Sequence, residues 1–282
     1  MHQKRLYVSG LWIVEGNLKR SPEHYDHYLD LTLKMIQGAD LMFFYESPSI
    51  LEQVSRLGKQ NCINLLPVEL KLEDHPNYET AQELARKSCE FRMDVFADAF
   101  PDLISSEKGF NQYFRFLNRG ENLETYCKQL VCTLGKYRLV RMAMDNCDHA
   151  EFVWMDASAS RFNGIREHSN FTTISPQRDA IYHYSSSQTI FGQQQRVQGS
   201  VQIGTRKAWE AHIELYEKTL NEYAESGCIY PTTDEPLLTL CHLKQPRLFE
   251  RIDARKKTFL HKAAGRILSP FRKDLLIAMN HY

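Results

Sequence analysis

Short apolar runs alternate with helical patterning from Leu6 to Pro67. Leu6 to Val14 reads as a buried strand. Ser21-Pro22-Glu23 opens a helix, with Ser21 as its cap and Pro22 in its first turn, and the helix runs to about Ile36. Asp40 to Tyr45 is a second strand, bounded by Gly38 and Pro48. Pro48 to Leu57 is helical, and Cys62 to Pro67 is a third strand. Strand, helix, strand, helix, strand in this order predicts parallel, right-handed crossover units.

The middle of the chain is helical. Tyr78 to Phe100 carries a helical pattern that Pro101 stops. Asn122 to Cys147 reads as one helix, with Leu123, Tyr126, Leu130, Leu134, Tyr137, Val140 and Met144 on one stripe. Glu151 to Met155 is a further buried strand that ends in Asp156. From Ala157 to Val197 the chain turns polar, which predicts a long active-site loop with a short strand at Ala180 to Tyr184. Val197 to Gly204 is strand-like. Thr205 caps a long amphipathic helix to about Ser226, Gly227 stops it, and Asp234 to Leu243 is helical. The predicted fold class is α/β, a mixed, mainly parallel central sheet flanked by helices. Residues 1–250 form the catalytic domain and residues 251–282 a basic amphipathic C-terminal segment.

Composition narrows the function. Lys and Arg number 35 and so do Asp and Glu, so the chain lacks the basic surplus of a nucleic-acid binder. An apolar fraction of 43% excludes global disorder. The seven cysteines, Cys62, Cys89, Cys127, Cys132, Cys147, Cys228 and Cys241, are odd in number and form no Cys-x-x-Cys pair. Reduced thiols in a cytoplasm are therefore expected, not a disulfide framework or a cysteine-rich zinc site. No apolar run approaches the roughly 18 residues of a transmembrane helix. Leu6 to Val14, behind Lys4 and Arg5, imitates a signal peptide but is short, and Glu15-Gly16-Asn17 is no small-residue cleavage site.

Five places could carry chemistry. Phe152-Val-Trp-Met-Asp156 puts a carboxylate at the carboxyl end of a strand, where open α/β sheets bind ligands. Asp156 suits magnesium or manganese on a diphosphate, or it caps the next turn. Gly199 to Gly204, followed by Trp209, Tyr216 and Asp234-Glu235, is the second. Gly199 lets backbone approach a ligand. Asp234 and Glu235 open a helix between Pro231 and Pro236, either as simple dipole partners or to orient and deprotonate an acceptor hydroxyl. In the third, His261 could ligate a metal and Lys262 pair with a diphosphate, close to Gly265 and Pro270. The fourth is the first strand, Ser9-Gly10-Leu11-Trp12, running into Asn17, Lys19 and Arg20, where α/β folds hold a base or phosphate. No Gly-x-Gly-x-x-Gly, phosphate-loop, nucleophile-elbow or His-Glu-x-x-His motif occurs. The fifth is the tail. From Lys244 to Tyr282 it holds ten Lys and Arg against three Asp and Glu, interleaved with apolar residues. That pattern fits an anionic membrane surface or a domain-closing helix with a solvated basic face.

Taken in order, Ser9-Gly-Leu-Trp12, Phe43-Phe-Tyr45, Val153-Trp-Met-Asp156, Gly199 to Gly204, Trp209, Tyr216 and Thr233-Asp-Glu235 resemble the HtrL/YibB family of bacterial proteins. That family is similar to the GT-A nucleotide-sugar glycosyltransferases. The resemblance implies a GT-A-like fold, a nucleotide-diphosphate sugar donor, manganese or magnesium, and a glycan or glycolipid acceptor in bacterial surface polysaccharide or lipopolysaccharide. The usual Asp-x-Asp is here Asp156-Ala157-Ser158, which leaves one acid for a metal. His261, Gly265 and Pro270 echo the late His-x-x-Gly-x-x-Lys-Pro motif of some GT-A enzymes.

The resulting expectation is a glycosyltransferase on the inner face of the cytoplasmic membrane. Asp156 and His261 would hold metal, Asp234 or Glu235 would act on the acceptor, and Arg161 would neutralise phosphate. Ser9, Gly10, Trp12, Lys19, Arg20, Gly199 and Lys262 would line the donor site. The alternatives are a nucleotide-sugar hydrolase or phosphotransferase, and an envelope-assembly protein with a degenerate site.

Overall fold

Seven strands in the order β3-β2-β1-β4-β8-β5-β9 make the central sheet of the computed structural model. The structure describes residues 5–17, 22–88, 98, 122–168, 170–186, 189–190, 193–225 and 234–252. The sheet strands are β1 (Arg5–Leu11), β2 (Asp40–Tyr45), β3 (Asn64–Glu69), β4 (Glu151–Met155), β5 (Ile181–His183), β8 (Val201–Thr205) and β9 (Phe249–Arg251). β1, β2, β3 and β4 pair in parallel, and β8 runs antiparallel to both β4 and β5. β9 is parallel to β5, so β8 alone opposes the rest. β6 (Thr189–Ile190) and β7 (Gln193–Gln194) form a separate antiparallel pair. The mixed, mainly parallel sheet flanked by helices is the fold class the sequence predicts.

The central strands are apolar on both faces because both faces are covered. On β1 and β2, Leu6, Val8, Met42 and Phe44 enter one core, and Tyr7, Leu11, Leu41 and Phe43 the other. The first core is completed by α3 (Tyr78–Ser88), α4 (Leu123–Leu134), α5 (Lys136–Asn146), α7 (Arg206–Glu225) and α8 (Asp234–Lys244). The second takes α1 (Pro22–Lys34), α2 (Pro48–Gln60) and α6 (Asn163–His168). Trp209 of α7 is fully buried and its Nε1–H donates to the Phe152 carbonyl at 2.8 Å, anchoring α7 to β4. Thr205 caps α7 as expected, accepting from the Ala208 N–H at 3.2 Å. No helix among the described residues is long and apolar enough to cross a membrane. Cys62, Cys127, Cys132, Cys147 and Cys241 are free thiols.

Several sequence expectations shift. The predicted helix from Asn122 to Cys147 is two helices, α4 and α5, broken at Gly135. The contacts at the break are non-local. A Cβ on Gly135 would lie 1.9 Å from the His75 ring. Asn77 donates from Nδ2 to the Leu134 carbonyl at 3.2 Å, closing the end of α4. Leu123, counted in the buried stripe, is exposed in the first turn of α4. The third strand starts at Asn64 because Cys62 has φ 55° and ends a left-handed turn. The stretch after Asp156 is more ordered than a loop, since it contains α6 and the β6–β7 pair. The pattern toward Phe100, Gly227 and the tail beyond Ile252 lie outside the described residues.

The sheet has a reversal between β1 and β4. β1, β2 and β3 build outward in one direction, and β4 pairs with the other side of β1. Such a switch point opens a crevice at the carboxyl ends of the strands. The chain places Trp12 at one lip and Asp156 at the other.

Gly135→Ala tests the broken helix. The methyl group must displace the buried His75 ring, so stability should fall by about 1–3 kcal/mol in chemical denaturation. Adding His75→Ala should recover part of the loss, a non-additivity expected only of residues in contact.

Candidate active site

A cleft at this switch point is lined by Gly10, Trp12, Asp156, Arg161, Gly199, Asp234 and Glu235, all singled out in the sequence, and by Lys136, which was not. Trp12 turns back over β1. A Cβ on Gly10 would sit 2.7 Å from its ring, so the absent side chain makes the room, and the indole N–H donates to the Leu70 carbonyl at 2.9 Å. Ser9 points into the other face, buried, and does not line the cleft. Lys19, Arg20, His261 and Lys262 lie outside the described residues.

Lys136 is the centre of the cleft. Its Nζ is 2.9 Å from Asp156 Oδ1 and 2.9 Å from Asp234 Oδ2. It also donates to the Gly199 carbonyl at 3.3 Å. These three oxygens match the three N–H bonds of an ammonium. Lys136 is 8% exposed and Asp234 4%. Burial works against the ammonium, but Asp156 and then Asp234 outweigh it, and the Lys136 pKa lies above its ordinary value. Gly199 serves this pair: a Cβ there would fall 1.9 Å from Asp234 Oδ2. The close approach expected between Gly199 and a ligand is made, within the chain, by the Asp234 carboxylate.

Asp156 is held from several sides. Trp154 Nε1–H donates to Oδ1 at 3.1 Å, and Arg161 reaches Oδ2 at 3.4 Å. The Arg161 guanidinium also bonds the Ser158 hydroxyl and lies 4.4 Å from the Phe162 ring centre. The turn after β4 closes through backbone, with the Ala159 N–H donating to the Asp156 carbonyl at 2.9 Å.

Asp234 and Glu235 open α8, where free N–H groups favour acids. The two neighbours differ in state. Asp234 is committed to Lys136. Glu235 accepts from the Ser186 hydroxyl at 3.0 Å. Burial, and next the Asp234 charge, push its carboxyl up to about 8. Divergent environments of this kind assign acid and base roles in hydrolytic and transfer sites. With Glu235 neutral, Lys136 and Arg161 balance Asp156 and Asp234.

The described residues of the cleft do not fit a resident divalent cation. Among the described residues no group of three or more His, Cys, Asp or Glu is placed to hold one. The Asp156 carboxylate faces the Lys136 ammonium and the Arg161 guanidinium, which repel a second cation.

Lys136 carries no signal in the sequence, where it falls inside a continuous helical pattern. In the structure it begins a helix, where the dipole disfavours a cation. A lysine there needs anions brought from elsewhere.

Neither a family model nor a curated protein matches this sequence. Similar solved structures include core-mannan synthase A from Aspergillus fumigatus in a manganese and GDP form. It is 10% identical, with a TM-score of 0.48, over 89% of this chain and 73% of that one. A glycosyltransferase involved in glycosylation of the major capsid of the virus PBCV-1 is 12% identical, with a TM-score of 0.35, over 89% of this chain and 82% of that one. The likeness is one of fold.

The raised Glu235 pKa has a measurable consequence. Between the ordinary carboxyl value of 4.5 and about 8, the folded chain holds a proton that the unfolded chain releases. Stability contributed by this neutral carboxyl is full below the lower value and is lost as pH rises toward the upper one. Glu235→Gln should therefore flatten the decline in unfolding free energy across that window, read from denaturant midpoints at a series of pH values.

Proposed function

We propose that this chain is a glycosyltransferase that moves a sugar from a nucleotide-diphosphate donor to an acceptor hydroxyl. The observation that carries the reading is the pairing, in one switch-point cleft, of fixed cations with a protonatable carboxyl. Arg161, tied to Lys136 through the Asp156 carboxylate they share, offers guanidinium N–H donors where a leaving diphosphate gathers negative charge, and preorganised donors of this kind need no reorganisation during reaction. The sugar passes through an oxocarbenium-like state. Glu235, once ionised, takes the proton of the acceptor hydroxyl. Asp234 holds Lys136 and, after burial, is the second cause of the raised Glu235 pKa. Trp12 gives the cleft an aromatic wall against which a base or sugar ring can stack.

The acceptor we propose is a glycan or glycolipid of the bacterial surface, in line with the HtrL/YibB resemblance. The basic tail then serves as a contact with the inner face of the cytoplasmic membrane.

The decisive assay is sugar transfer from a panel of sugar nucleotides to glycolipid acceptors. Wild-type turnover should rise with pH toward a plateau above about 8, as Glu235 ionises. Glu235→Gln should lower turnover by roughly 10²–10⁴-fold, the usual contribution of a general base, and leave donor affinity unchanged. Sugar release at the same rate without any acceptor would instead identify a hydrolase.

The tail is tested separately. The full chain should sediment with anionic liposomes at low salt and be released at high salt, since each basic residue contributes about 1 kcal/mol near such a surface. Failure to sediment at low salt removes the membrane contact from the proposal.

A further inference from the structure

We propose that the Lys136 ammonium stands where a divalent cation would have to stand, so that the donor's phosphates are bound without metal. The inference rests on the donor-site reading above and deepens it. Its basis is the set of oxygens around Nζ. Two carboxylates and a backbone carbonyl, from Asp156, Asp234 and Gly199, form the oxygen-only donor set that hard cations prefer. They come from three separate parts of the chain and converge on one nitrogen. Manganese cannot enter between them while Nζ is present.

The surroundings support a permanent occupant. Trp154 donates to the same Asp156 oxygen that faces Lys136, which fixes that oxygen toward the ammonium. The Lys136 Nζ is also 5.9 Å from the centre of the Trp154 ring, within reach of its negative face. Gly199 lacks the side chain that would push Asp234 away. A lysine at the first position of α5 opposes the helix dipole, so its place there is explained by the two acids rather than by the helix. The sequence fits the same account: after Asp156 the second acid of an Asp-x-Asp pair is replaced by Ser158, and the carboxylate that completes the set is Asp234.

The test uses the full chain and manganese alone, followed by electron paramagnetic resonance. Wild type should show no saturable manganese site in the micromolar range. Lys136→Met leaves two carboxylates facing each other, so it should gain one site, with affinity raised roughly tenfold or more over wild type. Manganese should then raise the melting temperature of Lys136→Met but not of wild type. If Lys136→Met folds only when refolded with manganese and not with EDTA, the inference holds equally.

A folded Lys136→Met chain without a manganese site overturns it. So does a wild-type manganese site that Asp156→Asn removes, and this measurement stands even if the lysine variant never folds. In parallel, UDP and GDP should raise the wild-type melting temperature equally in manganese and in EDTA. A shift seen only with manganese overturns the inference. No shift under either condition removes the donor-site reading instead, while the manganese titration still decides what Lys136 replaces.

Discussion

A buried ammonium between two carboxylates sets the terms for the rest of the cleft. Removing three charges from water costs several kcal/mol for each ion, and only close geometry recovers it. Lys136 meets that condition with oxygens from the end of β4, the turn before β8 and the start of α8. Shifting any of these three elements leaves an uncompensated charge inside. Gly199 serves the same demand, because any side chain there would displace the acid that holds Lys136.

The ammonium also divides the work of two adjacent acids. Asp234 pairs with the Lys136 ammonium at 2.9 Å and lies beside Glu235 in the chain. Glu235 is buried and accepts from the Ser186 hydroxyl, and burial, then the Asp234 charge, push its carboxyl up to about 8. Adjacent carboxyls at one helix start thus have different surroundings, one paired with Lys136 and one buried against the Ser186 hydroxyl. Neither setting is a property of the residue type.

Much of the frame was legible in the chain. β2 and β4 are apolar runs with clear stops, buried on both faces, and the sequence places both to the residue. Asp156 and the Asp234-Glu235 pair were legible for local reasons, an acid closing a strand and acids flanked by prolines. Lys136 was not. It sits within an amphipathic stripe, where a lysine reads as a solvated position, and its partner Asp234 is 98 residues away. The helix break failed for a like reason. Gly135 in a helical pattern is tolerable by propensity, and the groups that meet the break, His75 and Asn77, are distant in sequence. Ser9 belongs to the same motif, yet it is buried and does not line the cleft that Gly10 lines.

The seam between β1 and β4 carries a buried ion pair at each end, and the two ends use different cations. At the amino end, Arg5 meets Glu151 at 2.6 Å and donates as well to the carbonyls of Phe171 and Thr172, at 3.3 and 3.2 Å. A planar guanidinium with five fixed donors suits a place that must not change. At the carboxyl end the cation is a lysine, a point charge on a flexible stem with three rotatable donors. Its three donors meet Asp156, Asp234 and the Gly199 carbonyl, and a phosphate would take the carbonyl's place while both acids are kept. A guanidinium there would need its acceptors in one plane. The same strand pair is thus locked at one end and adjustable at the other, and the adjustable end is the one that opens into the cleft.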